Sequence, residues 1–388
     1  MQGKNVYIIS GARTPLGSFM GSLSSVAAPQ LGAVAIEGAL KKAQLSQEQI
    51  QEVYMGQVIQ AGVGQAPARQ AALAAGLSEA TPCTTVNKVC GSGLQAIVNG
   101  ASTIALGENN LVVSGGMESM SLAPHFVYAR AGIKFGSSAL QDAMSWDGLR
   151  DAYTDRPMGN CAEECVQKYK WTREEQDEFS MNSFRKAQKA ISDQIFAQEI
   201  NPVTIKTRKG DSVISQDEGP GKANFEKTPQ LRPAFIKDGT ITAANASTIN
   251  DGAAALILAG EEFRDRAEFR IRGWGKWAQN PTWFSTAPVE SMKKACEHAG
   301  VALNQIDLFE INEAFAVVTM TAIQQLELPA EKVNIYGGAI SLGHPIGCSG
   351  ARIVVTLMNA MKQTQSRLGM ASLCIGGGEG LSMVIERL

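Results

Sequence analysis

Residues 43–57 read AQLSQEQIQEVYMGQ, and residues 299–313 read AGVALNQIDLFEINE. At an offset of 256 the two segments parse alike: a helix end, a short polar turn closing on an isoleucine (Ile50, Ile306), then an apolar strand. The correspondence continues along the chain. Cys90-Gly91-Ser92-Gly93 falls on Gly347-Cys348-Ser349-Gly350 at 257, and Ser114-Gly115-Gly116-Met117-Glu118 on Ile375-Gly376-Gly377-Gly378-Glu379 at 261. Three matches in one order at nearly one offset mark a duplication. Two copies alone describe a fused pair of similar α/β units, not a solenoid. Strand-like runs at 6–9, 53–55, 111–114, 254–258, 308–311 and 371–375 alternate with helical segments such as 30–45 and 351–362. That alternation predicts mixed or parallel sheets covered by helices.

Between the copies, over 120–245, the texture changes. Polar and charged residues rise, and Gly and Pro punctuate 212–232. Thr172-Arg173-Glu174-Glu175 is a capping-box pattern, followed by Phe179, Ser183, Ala187, Ala190 and Ile191 on one helical face. This segment reads as an inserted loop domain (120–245) over the carboxyl ends of the strands, where such folds bind ligands. The first half then comprises 1–119 and 246–267, and the second 268–388.

At 388 residues and a net charge of −2, the chain offers no electrostatic case for nucleic acid or a membrane surface. Seven cysteines at irregular spacing do not form a disulfide framework and suit a reducing compartment. The chain enters a strand-like run at Val6, leaving no room for a signal or transit peptide, and Glu386-Arg387-Leu388 is not the peroxisomal tripeptide. No apolar run is expected to reach membrane-spanning length. The cytoplasm is the expected location.

Cys90 lies in VNKVCGSG, at the start of a segment with helical spacing (Leu94, Ile97, Val98, Ala101, Ile104). A helix N-terminus predicts a lowered thiol pKa there, enriching the thiolate. Of the three histidines, His298 reads as a helix end before the stop Gly300, and His125 as a loop residue. His344 is clamped between Gly343 and Pro345, and a constrained histidine opposite a lone thiol is the pair needed to activate sulfur. Cys374 ends a strand and enters Gly376-Gly377-Gly378, where bare backbone N–H groups can face an oxyanion. No helix of useful length follows, so a dinucleotide loop is excluded. Asn312 follows the strand at 308–311. Cys161 and Cys165 share a helical face but lack further ligands at zinc spacing.

With these residues in place, the chain resembles the thiolases. VNKVCGSG, NEAF at Asn312, GHP at His344 and CIGGGEG from Cys374 are similar, in order, to the family's four active-site blocks. The resemblance runs from Ser10–Pro15 to the C-terminus. It implies the thiolase fold: duplicated βαβαβαββ halves in a layered αβαβα sandwich with the inserted loop domain. It also implies that Cys90 is acylated while His344 takes its proton, and that Cys374 moves the α-proton of a second acetyl-CoA. Asn312 (through a water) and His344 would bind one thioester oxygen, with the N–H groups of Cys90 and Gly376 binding the other. No cofactor or metal is implied, since coenzyme A thioesters are the substrates.

Arg130 to Gly136, Asp147 to Ala152, Arg232 to Phe235 and Asn245 to Ser247 resemble the tetrameric branch that condenses two acetyl-CoA to acetoacetyl-CoA and CoA, or runs the reverse thiolysis. By that resemblance Leu149, Met158, Phe235, Ala243 and Ser247 contact substrate and the assembly is a homotetramer; the basic residue expected near Pro220 is absent, and Lys222 is the nearest substitute for gripping the nucleotide end of CoA. Pro157 stands where that branch usually has His, and Phe284-Ser285-Thr286-Ala287-Pro288 departs from its usual Met-Gly-x-Gly-Pro. These departures keep open the rival reading, a 3-ketoacyl-CoA thiolase for longer chains in fatty-acid degradation.

Overall fold

Ten strands share one hydrogen-bonded sheet in the computed structural model, which describes residues 4–208 and 210–388. They are β1 (Val6–Arg13), β2 (Gly17–Ser18), β3 (Glu52–Gly56), β4 (Cys83–Val86), β5 (Leu111–Ser119), β6 (Asn250–Ala259), β7 (Phe269–Ala278), β8 (Leu308–Ile311), β9 (Leu368–Ile375) and β10 (Glu379–Arg387). The order across the sheet is β8-β9-β10-β7-β1-β6-β5-β3-β4, with β2 beside β6. The two copies meet where β1 pairs with β7, through Val6↔Ile271, Tyr7↔Arg270 and Ile8↔Phe269. Within the copies, β3 is parallel to β4 and β5, and β8 to β9. The strand after the insertion, β6, returns antiparallel between β1 and β5.

The helices are α1 (Ala28–Ala43), α2 (Pro67–Ala74), α3 (Ser92–Leu106), α4 (Met158–Tyr169), α5 (Arg173–Ser192), α6 (Ala287–Ala299), α7 (Ala316–Leu326), α8 (Ala339–Leu342) and α9 (Ile346–Gln363). The duplicated segments fold alike. After α1 come a 3-10 turn (Gln47–Gln49) and β3; after α6 come a 3-10 turn (Leu303–Gln305) and β8. Ile50 and Ile306 are both buried.

Three apolar clusters give five layers. α1 and α2 cover the outer face of the first copy's strands, and α6 and α7 that of the second copy's. α3 and α9 lie on the inner faces of both sets of strands, in the largest core, with Leu94, Ile97, Val98, Ile353, Val354 and Leu357 fully or nearly buried. Such burial stabilises by about 1.5–3 kcal/mol for each large aliphatic side chain. Two glycines permit the crossing of α3 and α9: a side chain at Gly93 would sit 2.7 Å from the Ala351 nitrogen, and one at Gly350 would strike Leu94.

All residues of β5 and β6 are buried, which explains their runs of apolar and small residues. β7 and β10 escaped the sequence reading. In β7, Arg270, Arg272 and Trp274 alternate with buried Phe269, Ile271 and Gly273, the period of a one-sided strand.

The expectation about apolar runs requires correction. Val89–Leu106 has a mean hydropathy of 1.2 over 18 residues, long and apolar enough to pass a membrane-span test. It contains α3, however, whose apolar face is taken up by the central core.

The insertion carries α4, α5 and a hairpin (Val203–Thr207 with Gly210–Ile214). The capping box forms: Glu175 N–H donates to Thr172 Oγ1 at 3.2 Å, and Thr172 N–H to Glu175 Oε2 at 2.8 Å. Arg13 of β1, fully buried, clamps the insertion through Glu199 at 2.6 Å and both oxygens of Asp217 at 2.7 and 2.8 Å. Removing one partner of such a buried pair costs about 3–5 kcal/mol. Residues 122–153 instead leave Leu122, Tyr128, Ile133, Phe135, Leu140 and Tyr153 exposed.

Candidate active site

Cys90 sits between β4 and α3 on a strained turn. Val89, a β-branched residue, has φ 47°, a conformation rarely adopted by such side chains. Three hydrogen bonds hold it. Val89 N–H donates to Asn87 Oδ1 at 3.0 Å, Lys88 N–H to Ser92 Oγ at 2.8 Å, and Ser92 Oγ–H to the Val89 carbonyl at 2.6 Å. The turn leaves Cys90 lining a cavity of about 240 Å³.

His344 reaches the same cavity from the other copy, on the turn that opens α9. Its backbone N–H donates to Asn250 Oδ1 at 3.1 Å, and its Nδ1 lies 2.5 Å from Ser349 Oγ. Ser349 has one hydroxyl proton, which goes to the Pro345 carbonyl at 2.9 Å. Its oxygen therefore accepts from Nδ1–H, which leaves Nε2 as the unprotonated nitrogen. That Nε2 is buried without a partner. Burial, and then the Arg352 charge, push the imidazole down to about 3.

Cys374, at the end of β9, and Gly376 line the cavity too. The N–H groups of Gly376 and of Cys90 itself both act on the Cys90 sulfur and lower its pKa. Burial outweighs them and pushes the thiol up to about 11. The expectation of a low-pKa thiol is thus corrected: with the site empty, desolvation of the thiolate exceeds what the helix start supplies. The Cys374 thiol is held well above its ordinary value by burial and by the neighbouring Cys90. The resting site is therefore two neutral thiols and a neutral imidazole.

Asn312 is fully buried and is not among the residues lining the cavity, although Ala314 and Phe315 of the same block are. Its backbone N–H donates to Ser372 O at 2.9 Å, while both side-chain polar atoms lack a partner. Orphaned buried polar atoms of this kind mark a place for water or ligand.

The substrate set from the sequence divides. Leu149, Met158, Phe235 and Ser247 line the first cavity, whereas Lys222 and Ala243 line a second of about 270 Å³. Thr248 lines both. Pro157 caps α4 and does not line the first cavity, although the adjacent Met158 does. His125 is exposed, and His298 closes α6 with Nδ1 donating to the Trp274 carbonyl at 2.6 Å. Cys161 and Cys165 lie in an apolar cluster around α4.

Several lining residues escaped the sequence reading: Met120, Phe284, Phe315 and Ile346 in the first cavity, and Phe184, Phe225 and Lys227 in the second. Phe315 meets Phe235 and Phe284 edge-on, with ring centroids 5.9 and 6.1 Å apart. Membership of the NEAF block was the available signal for Phe315. The mate of His344, Ser349, was visible only as a serine five residues on.

Comparison with known proteins agrees with this geometry. Residues 6–262 match the thiolase N-terminal domain family and residues 266–387 the thiolase C-terminal domain family. The cytosolic acetyl-CoA acetyltransferase of Gibberella zeae is 47% identical over 99% of this chain and 98% of its own length. The mitochondrial acetyl-CoA acetyltransferase of Rattus norvegicus is 47% identical over 99% of this chain and 91% of its own length. The crystal structure of the Bacillus anthracis acetyl-CoA acetyltransferase superposes with a TM-score of 0.97, at 39% identity and full coverage of both chains. With family models matching both copies and the fold superposing over the full length, the chain belongs to the thiolase family.

Proposed function

We propose that this protein is an acetyl-CoA acetyltransferase, joining two acetyl-CoA to acetoacetyl-CoA and CoA or running the reverse thiolysis. The observation that carries the reading is the convergence of Cys90, His344, Cys374 and Gly376 on one cavity walled by Phe235, Phe284 and Phe315. In the first half-reaction the Cys90 sulfur attacks the thioester carbonyl as His344 Nε2 takes its proton. The acyl–CoA sulfur bond breaks and CoA departs as its thiolate, which afterwards takes the Cys374 proton, so acetylation itself does not require Cys374. A high thiol pKa suits Cys374 to the step that follows, because its conjugate thiolate is then a stronger base toward the α-proton. The Cys374 thiolate then removes the α-proton of a second acetyl-CoA. The resulting enolate attacks acetyl-Cys90, and the leaving Cys90 sulfur recovers the proton stored on His344. Asn312 and His344 receive the enolate oxygen, and the N–H groups of Cys90 and Gly376 the acyl oxygen. The cycle moves only protons and an acyl group, so no cofactor is proposed.

The second cavity receives the rest of CoA. Lys222 and Lys227 supply positive charge, and Phe184 and Phe225 apolar walls, on a path joined to the first cavity at Thr248. Relative thiolysis rates of acetoacetyl-CoA and a medium-chain 3-ketoacyl-CoA test the assignment. The short substrate should turn over faster, and the opposite order would replace this reading with a long-chain thiolase.

A homotetramer is the proposed assembly. Tyr128, Ile133 and Phe135, the last fully exposed, present apolar surface on the insertion that a second copy would cover. Light scattering at micromolar concentration should return four chains. The cytoplasm is the proposed compartment, supported by seven free cysteines and by the cytosolic relative. The mitochondrial relative names the other outcome of a fractionation experiment.

A further inference from the structure

Glu118, in β5, is fully buried, and among the described residues its carboxylate has no cationic partner. Its oxygens are taken up by backbone. Oε2 accepts Gly347 N–H at 2.8 Å and Val58 N–H at 3.0 Å, and Oε1 accepts Ile59 N–H at 3.2 Å. Gly347 is in the first turn of α9, three residues past His344, where a helix offers unpaired N–H groups to an anion. Val58 and Ile59 follow β3 and pack with Ile346, Met120 and Cys90 in one apolar cluster. The chain of contacts continues. The Val58 carbonyl accepts Asn87 Nδ2–H at 3.4 Å, and Asn87 Oδ1 accepts the N–H of Val89, the strained residue before Cys90.

We propose that Glu118 is a positioning residue for acyl transfer: its carboxylate couples the His344 turn of one copy to the Cys90 turn of the other and holds base and nucleophile in register. The two turns come from opposite halves, and the bonds linking Glu118 to Gly347, Val58 and Ile59 form a polar bridge between them behind the cavity. An uncharged side chain cannot replace it, since three N–H groups converge on two oxygens and an amide nitrogen would set donor against donor. A fully buried carboxylate is costly, and burial pushes this one up to about 7 despite its three hydrogen bonds. Its place behind the apolar cluster of Val58, Ile59, Met120 and Ile346 is explained by what it aligns.

This inference rests on Cys90 as nucleophile and His344 as its base, and the experiment separates the two claims. Single-turnover acetylation and iodoacetamide alkylation of Cys90 are measured for the wild type, Glu118→Gln, His344→Ala and the double variant. Glu118→Gln should slow acetylation by about ten- to a hundredfold, the cost of a small misalignment, with KM for acetyl-CoA changed less than about twofold. In the His344→Ala background the same change should add less than about twofold to either reaction, since residues acting through one another are not additive. Full additivity, or an unchanged rate in Glu118→Gln beside a slowed His344→Ala, would overturn the positioning role alone. An unaffected His344→Ala would overturn the base assignment and the proposal with it. If Glu118→Gln does not fold, Asn87→Ala, at an exposed residue, cuts the far end of the bridge and is judged by the same criteria.

Discussion

The two copies of one turn have parted ways. In the first, Cys90-Gly91-Ser92-Gly93 places a thiol in the cavity; in the second, Gly347-Cys348-Ser349-Gly350 buries its thiol completely in α9. The serine keeps one task in both: Ser92 donates to the Val89 carbonyl and Ser349 to the Pro345 carbonyl, bracing the turn against its helix. Ser92 spends its acceptor on the backbone of Lys88, and Ser349 on the ring of His344. At the same offset Asn87 of the first copy stands opposite His344 of the second. The glutamates that correspond, Glu118 and Glu379, each reach the other copy's turn. Glu118 binds Gly347, and Glu379 ion-pairs with Lys88. The duplication supplies two equivalent scaffolds, one presenting a thiol and the other an imidazole to the cavity, the proposed nucleophile and base.

The sharpest way to break this comparison is to remove each cysteine. Cys90→Ala should abolish the acetyl label found by peptide mass mapping after incubation with acetyl-CoA. Cys348→Ala should keep the label and lose about 1 kcal/mol of stability in denaturant unfolding, the worth of one small buried group. Labelling of Cys348 in the wild type would reverse the assignment.

Cys374→Ser comes next. It should retain self-acetylation of Cys90 while condensation and methyl-proton exchange of acetyl-CoA with deuterated water fall by about 10²–10⁴-fold. Equal losses in both half-reactions would make Cys374 structural and end the two-thiol mechanism.

A smaller effect concerns pH. Below a thiol pKa of about 11, the Cys90 thiolate fraction falls as pH falls. Alkylation of the free enzyme should therefore rise about tenfold per pH unit from pH 7 to 9, without levelling near the ordinary cysteine value of about 8.5. With His344 near 3, the imidazole should add no inflection between pH 5 and 8, and any inflection near 7 should disappear in Glu118→Gln. A plateau by pH 8 would mean that the thiolate is stabilised before substrate arrives.

The smallest effect belongs to Glu379. Its ion pair with Lys88 is partly exposed, the carboxylate at 36%. Glu379→Gln should cost no more than about 1 kcal/mol, or about fivefold in acetylation rate, against the larger loss at buried Glu118. A hundredfold loss at Glu379 would erase the distinction between the two bridges.

Much of this was readable from residue order. The helix–turn–strand repeat at 43–57 and 299–313 folds twice in the same form because caps and buried isoleucines act locally. The cysteines and His344 lie on glycine-rich turns whose backbone needs are written in sequence. β7 was not legible because its half-buried positions carry Arg and Trp, which hide the alternation, and β10 because its run follows directly on the glycine turn. Lys222 and Ala243 were placed with the other substrate residues, yet they line a separate cavity, a division that spacing along a chain does not encode.

By itself the sequence determined the duplication, the alternation of strand and helix, the insertion, and which side chains carry reactive atoms. Each follows from periodicity or chemistry within a few residues. Tertiary structure alone decided the electrostatics and the partners. The helix start at Cys90 predicted a lowered thiol pKa, but burial in the cavity raised it. The proton on His344 is assigned by Ser349, and the two turns are tied by Glu118 across the join between the copies. Desolvation and long-range hydrogen bonding depend on what the fold packs against a group: Ser349 is five residues from His344 along the chain, but Glu118 and Gly347 are separated by 229.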